Sequence, residues 1–253
     1  MSRDDVLVLC YHAVSERWPD QIATPPERLE RQVAGLLRRG YVPVTFRRAV
    51  LDPPARRTLA VTFDDAYRSV IEQALPVLAA LEAPASVYAP TAFVGSERPM
   101  SWPGIEQWVG GPHERELRPM GWPELGELAQ AGWEIGSHSV THPKLTRIGP
   151  EALAGELRES RAEIERRLGG RCDTLAYPFG DVNAAVIEAA AQAGYAAAGS
   201  VSSLRAVSPL DWPRVGVWRE DSAWRFRLKT AASVRRRRTS DAAPYPDGTP
   251  PSR

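Results

Sequence analysis

The stretch Leu59-Ala60-Val61-Thr62-Phe63 runs straight into two adjacent carboxylates, Asp64 and Asp65. An unbroken apolar and β-branched run of this length reads as a strand covered on both faces, the kind that parallel sheets contain. Side chains alternate along a strand, so the two acids cannot share one environment unless the chain bends there. A buried strand that ends on two like charges is costly unless something cationic waits at its exit. The fold must therefore gather strand ends in one place and bring a cation, or the ligands of one, to Asp64 and Asp65.

Other strand-like runs have loaded exits too. Val6–Cys10 reads as a buried strand with Tyr11-His12 at its end. Tyr41–Val44, Ala85–Ala89, Trp133–Gly136, Asp173–Tyr177, Tyr195–Ala198 and Arg214–Val217 read as further short strands. Between them lie helical spacings: Leu29, Val33, Leu36 and Leu37, ended by Gly40, then Val70, Ile71, Leu75, Leu78 and Leu81 over 67–82, where Pro76 predicts a kink. A helix over 151–168 starts at Pro150 and ends at Gly169, and Asn183 caps another that Gly194 closes. Roughly seven alternations of strand and helix predict a parallel sheet flanked by helices, either a barrel or a doubly wound sheet. His12, Asp64-Asp65, His138 and Pro178-Phe179 all fall at strand exits. That favours an α/β barrel with a single site, because barrels collect functional groups on that rim. Residues 95–121, rich in Gly, Pro and Trp, form a long excursion of the kind that is often functional.

His138 and His142 are two of only four histidines in the chain. Four residues apart, they share a face if the segment makes a helical turn. One carboxylate added to them gives the two-imidazole, one-carboxylate donor set of an open catalytic zinc site. The alternative is a capped turn with two satisfied histidines; the Asp64-Asp65 strand end favours the metal.

Thr62-Phe63-Asp64-Asp65, His138-Ser139-Val140-Thr141-His142-Pro143 and Leu175-Ala176-Tyr177-Pro178-Phe179-Gly180 resemble, in order and separation, the three signature motifs of the polysaccharide deacetylases, the NodB-homology domain of carbohydrate esterase family 4. The resemblance spans roughly residues 5 to 220 and implies a distorted (β/α)7, TIM-barrel-like fold. It also implies removal of N-acetyl groups from amino sugars with a divalent metal, often zinc. Asp65, His138 and His142 would be the metal ligands and Asp64 the general base. The backbone N–H of Phe179 would bind the oxyanion, and Gly180 would let the substrate approach closely.

The chain departs from the family pattern at several points. Ala66 stands where a Gly is usual, and Ala176 where an Arg often orients the catalytic Asp. Arg214 is the candidate replacement; a surface salt bridge is its alternative. No histidine follows His142, although many members carry a later His as general acid. His12 is the candidate for that role, because the first and last strands of a closed barrel are neighbours; its alternative is packing in the site wall. His113 reads as an exposed bystander, and Trp102 as a possible wall of a glycan cleft.

The 253 residues are 43% hydrophobic and 25% charged, enough for one catalytic domain over 1–233. Residues 234–253, with four consecutive arginines followed by Ser, Asp, Pro and Gly, read as a disordered, solvated tail rather than a nucleic-acid or membrane patch. A net charge of +1 points to no nucleic-acid partner. Two cysteines give no disulfide framework, and Cys10 reads as a core residue. The Val6–Cys10 run is too short for a secretory leader, and no apolar stretch approaches the roughly 20 residues of a membrane helix. The expectation is a cytoplasmic enzyme on an N-acetylated sugar or glycoconjugate, of open oligomeric state. Its alternatives are an amidohydrolase for a non-sugar amide or cyclic imide, and a catalytically weak glycan-binding domain.

Overall fold

The computed structural model describes residues 5–201 and 208–231; the expected tail lies outside them. In chain order the elements are β1 (Asp5–Tyr11), β2 (Ala13–Val14), β3 (Ala23–Thr24), α1 (Pro26–Leu37), β4 (Val42–Val44), α2 (Phe46–Leu51) and β5 (Arg57–Phe63). A π-helical turn (Val70–Ala74) leads into α3 (Leu75–Ala80), then come β6 (Ala85–Ala89), α4 (Trp122–Gln130), β7 (Glu134–Ser137), α5 (Pro150–Leu168) and β8 (Thr174–Ala176). The chain ends in α6 (Ala184–Gln192), β9 (Ala197–Ser200), β10 (Trp212–Pro213), β11 (Val215–Gly216) and α7 (Ala223–Thr230).

The main sheet is parallel, in the order β10-β9-β8-β7-β6-β5-β1-β11. Its two end strands are separated in sequence by Arg214 alone. β10 pairs with β9 while β11 pairs with β1, so one interrupted stave closes the barrel and Arg214 sits at its seam. Counting that stave once leaves seven, as the (β/α)7 expectation has it. β4 pairs with the first half of β5 and β6 with its second half, which distorts the circle there.

Strand alternation sorts the side chains into two cores. Leu7, Leu9, Leu59, Val61, Phe63, Val87 and Leu175 face outward, under the helices. Val8, Ala60, Tyr88, Ala176 and Ala197 face the barrel interior. Phe46 joins that interior cluster from α2, and its backbone N–H donates to Ser86 Oγ. The helix α2 thus plugs the barrel floor; six residues carry too little periodicity for it to be read from the sequence.

Other boundaries differ for local reasons. Pro76 does not kink a continuous helix: it stands in the first turn of α3, where its missing N–H costs least, and the preceding turn widens to π. Asn183 caps α6 by accepting from the Val186 N–H at 3.0 Å, and Gly169 closes α5 with φ 67°. The short helix α7 was not anticipated from the sequence. No helix among the described residues is long and apolar enough to cross a membrane.

Phe46 is fully buried. Phe46→Ala is expected to lower stability by about 3–5 kcal/mol, read as the shift of a urea unfolding midpoint at unchanged slope.

Candidate active site

Asp64 continues the inward face of β5 one residue beyond its end. Asp65 would point outward, but it adopts φ 69° and Ala66 φ 54°. Two consecutive left-handed residues turn the chain over the rim, and the neighbouring carboxylates part. Glycine would take such a φ without strain; here Ala66 takes it in a fully buried setting.

Asp64 faces the seam. Arg214 reaches it through the barrel interior with both terminal nitrogens, Nη1 at 2.7 Å from Oδ1 and Nη2 at 2.8 Å from Oδ2. Nη1 also donates to Thr62 Oγ1 at 3.2 Å. Both side chains are almost wholly buried. The Arg214 shaft crosses Gly199, where a Cβ would lie 2.6 Å from Arg214 Cδ. Gly199 is in register with Ala176, so two small residues side by side leave the path clear. The guanidinium also lies over the Tyr88 ring, 5.6 Å from its centroid. The Tyr88 ring in turn fills the space that a Cβ at Gly136 would need.

Burial pushes the Asp64 carboxyl up, but the Arg214 guanidinium more than offsets it and, with His138, brings the pKa down to about 2. Cys10 Sγ lies 3.4 Å from Asp64 Oδ2, and burial keeps that thiol protonated. A ring nitrogen of His12 completes the group: it, Cys10 Sγ and an Asp64 oxygen all lie within 4.8 Å of one another. The His12 ring stacks on Trp218, centroids 5.8 Å apart.

Asp65 faces the other way. Its Oδ1 is 3.3 Å from His138 Nε2 and 3.3 Å from His142 Nε2. The two histidines do not converge through a helical turn. The segment is an irregular turn with Ser139 at φ 63° and His142 at φ 59°. Glu156 from α5 clamps it, accepting the N–H groups of Val140 at 2.7 Å and Thr141 at 2.9 Å. Ser139 Oγ accepts the His142 N–H at 3.1 Å.

His138 Nδ1 lies 2.7 Å from the Ala176 carbonyl, which only accepts, so Nδ1 carries the proton. In the neutral ring Nε2 then offers a lone pair toward the Asp65 oxygen. Asp65 Oδ1 has no hydrogen-bond donor and is buried. Lone pairs converging on a buried carboxylate require a positive charge between them, either a proton or a cation. Burial opposes protonation of both rings. At His138 the charges of Asp64 and Asp65 override it and the pKa rises; at His142 burial prevails and the pKa falls. The donor set is that of a divalent transition metal.

Aromatic rings wall this group. Trp102 stacks on His142 at 4.1 Å and is nearly buried, so the 95–121 excursion reaches the site. The Phe179 ring lies 4.6 Å from His142, stays 41% exposed and carries Lys144 Nζ at 5.5 Å. Phe179 has φ 60°, and its N–H meets no acceptor among the described residues. Gly180 has φ 67°, and a Cβ there would lie 3.1 Å from Val201, so glycine is needed at this position for the fold itself. His113 packs edge-on against Trp108 and is not a fully exposed bystander.

Sequence reasoning missed Glu156, Gly199, Trp218 and the placement of Cys10. Cys10 could have been found from alternation along β1, which puts it on the inner face. The others depend on pairing between distant elements.

The polysaccharide deacetylase family profile matches residues 52–198, which include Asp64, Asp65, both histidines and Phe179 but neither His12 nor Arg214. The Bacillus subtilis protein YxkH, whose name places it among polysaccharide deacetylases, is 23% identical over 193 residues, 74% of this chain and 61% of that protein. The chain thus spans about three-fifths of that relative's length. Among solved structures, the Streptococcus pyogenes deacetylase PplD superposes with TM-score 0.74 at 20% identity, covering 89% of this chain and 98% of that one. IcaB from Ammonifex degensii gives 0.72 at 21%, covering 91% and 97%.

Because the Asp64 pKa in the folded chain lies below its ordinary 3.8, the stability it contributes is fully present above pH 3.8 and is lost as pH falls toward 2. Urea titrations of the chain and of Asp64→Asn are expected to show a stability gap that narrows over that window; a gap independent of pH would contradict the pairing. The profile covers more than half of the chain, over the span that carries all three motifs, and the chain belongs to the polysaccharide deacetylase family.

Proposed function

We propose that the chain is a metal-dependent hydrolase that removes the N-acetyl group from an N-acetylated amino sugar and releases acetate. The observation that carries this reading is the unequal fate of two adjacent carboxylates. Asp65 is turned onto two imidazoles, while Asp64 is held by Arg214 beside them with no imidazole on either oxygen. A domain that merely retained a metal to bind glycan would have no use for that second acid.

Asp65, His138 and His142 would hold the ion, and two imidazoles with one carboxylate suit Zn2+. When bound, it would supply Lewis acidity to the amide carbonyl and the attacking water. Asp64, ionised far below neutral pH, takes the water's proton as the new C–O bond forms. Arg214 fixes both Asp64 oxygens, so the base keeps its aim when it becomes neutral. The Phe179 N–H, held at a left-handed backbone position, donates to the developing oxyanion. The C–N bond then breaks, and the departing amine needs a proton. His12, within reach of Asp64 and stacked on Trp218, returns it. The products are acetate and the free amino sugar. Trp102 and Phe179 offer aromatic walls to sugar faces.

Asp65→Asn is expected to abolish stoichiometric metal binding and turnover together. Asp64→Asn is expected to keep the metal and lose turnover by about 10²–10⁴-fold. Metal analysis beside acetate release from N-acetylated sugars, nucleotide sugars and chito-oligomers separates the two, and full acetate release by both variants would end this reading.

His12→Gln is expected to lower turnover by roughly 10²-fold with metal content unchanged. An unchanged rate would remove His12 as the proton donor.

A further inference from the structure

A second set of metal-ligand atoms meets on the rim beside the Asp65 group. Cys10 and His12 are two apart at the end of β1, so both fall on its inner side. β1 and β5 run parallel, with Tyr11 in register with Phe63, and the Asp64 N–H donates to the Tyr11 carbonyl at 3.0 Å. That register sets His12 level with Asp64 and Cys10 two residues deeper, beside Thr62. Cys10 Sγ is thus 3.4 Å from Asp64 Oδ2. A ring nitrogen of His12, the sulfur and an Asp64 oxygen all lie within 4.8 Å of one another.

The hydrogen bonds of this cluster leave its ligand atoms underused. His12 Nδ1 is buried and has no hydrogen-bond partner among the described residues. Cys10 is wholly buried, and besides Asp64 its sulfur meets the Tyr11 carbonyl at a long 3.9 Å. Arg214 takes one lone pair on each Asp64 oxygen, and a carboxylate offers about four. The imidazole is also held in place. It stacks on Trp218, whose ring passes 3.0 Å from where a Cβ at Gly216 would stand. Gly216 is in register with Cys10, so a glycine opposite the cysteine makes room for the ring that backs His12.

We propose that Cys10, His12 and Asp64 form a second zinc site, weaker than the Asp65 site, and that an ion there switches the hydrolase off. Sulfur, imidazole and carboxylate together suit zinc and similar thiophilic ions, and disfavour magnesium and calcium, which take oxygen ligands. As the sulfur–metal bond forms, the thiol proton leaves to solvent, so the cluster gains a negative charge to set against the ion. The Arg214 guanidinium opposes the ion. The Asp65 carboxylate has no guanidinium on it and two imidazoles beside it, so that site fills first. Filling the second site occupies both the carboxylate proposed to take the water's proton and the imidazole proposed to return one. The first ion therefore supports turnover and an excess suppresses it. This consequence rests on the hydrolase reading; the site itself does not and is measured without turnover.

The test is equilibrium dialysis of the full chain against rising Zn2+, with acetate release measured at each level. A parallel titration uses Cd2+, whose bond to a thiolate absorbs in the ultraviolet by charge transfer. Two zinc ions per chain are expected, the second bound about tenfold or more weakly than the first. The Cd2+ band should appear, and the rate should fall, as that second ion enters. Cys10→Ser keeps the side-chain shape and removes the soft ligand. It is expected to bind one ion, show no band and hold in excess zinc the rate it has at one equivalent. Cys172 remains in this variant, so the loss reports Cys10 alone. Should Cys10→Ser lose its melting transition, His12→Gln, on the partly exposed rim, is expected to weaken the second ion by about tenfold. Asp65→Asn is expected to lose the tight ion and keep the band, which separates failure of the hydrolase reading from failure of this one. A single ion in the parent chain, a second ion that neither substitution weakens, or a rate that rises as the second ion enters would overturn the proposal.

Discussion

The ion pair between Arg214 and Asp64 is the constraint on which the site depends. A guanidinium and a carboxylate buried in a barrel interior are each very costly alone. Together, in a two-pronged arrangement, they satisfy both carboxylate oxygens and both terminal nitrogens. The pair also bridges over β1: Asp64 stands at the end of β5 and Arg214 at the seam of the closing stave. Closing the barrel and aiming the candidate base are one event. A chain that failed to seat the last stave would leave Asp64 facing an apolar interior without its counter-charge.

The interior is built to let that happen. Arg214 crosses the barrel only because Gly199 offers no Cβ, and Ala176 beside it is small. Where relatives are expected to place an arginine at the third motif, this chain has Ala176, and the guanidinium arrives from the closing stave, across β9. Ala176 still contributes through its backbone, since its carbonyl fixes the His138 tautomer.

Much of this was legible in the sequence, and the limits have physical causes. The strand ending on Asp64-Asp65 announced itself because two like charges at a buried strand end demand compensation. The long helix between Pro150 and Gly169 was readable because its end signals are local. The route by which His138 and His142 meet was not, since a His-x3-His spacing suits a helical turn as well as the irregular, left-handed turn that Glu156 holds. The plug α2 and the helix α7 are too short to show periodicity. Arg214 could be named as a candidate from its place in the last stave, but choosing between Asp64 and solvent needed Gly199, whose importance appears only when β8, β9 and the seam stand side by side.

The division between Asp64 and Asp65 also sorts the rim into two halves. On one side Asp65, His138 and His142 sit against Trp102 and Phe179, a mixed nitrogen and oxygen donor set inside an aromatic wall. On the other, Asp64, Cys10 and His12 sit against Arg214 and Trp218. An N-acetyl group lying across both halves would have its carbonyl toward the first and its nitrogen toward the second, because charge develops on oxygen while the nitrogen has to gain a proton. Asp64 apart, the second half belongs to the N-terminal strand and the segment from Arg214 to Trp218, outside the residues 52–198 that the family profile matches. The side of the site proposed to return a proton is thus carried, Asp64 apart, by residues outside that span.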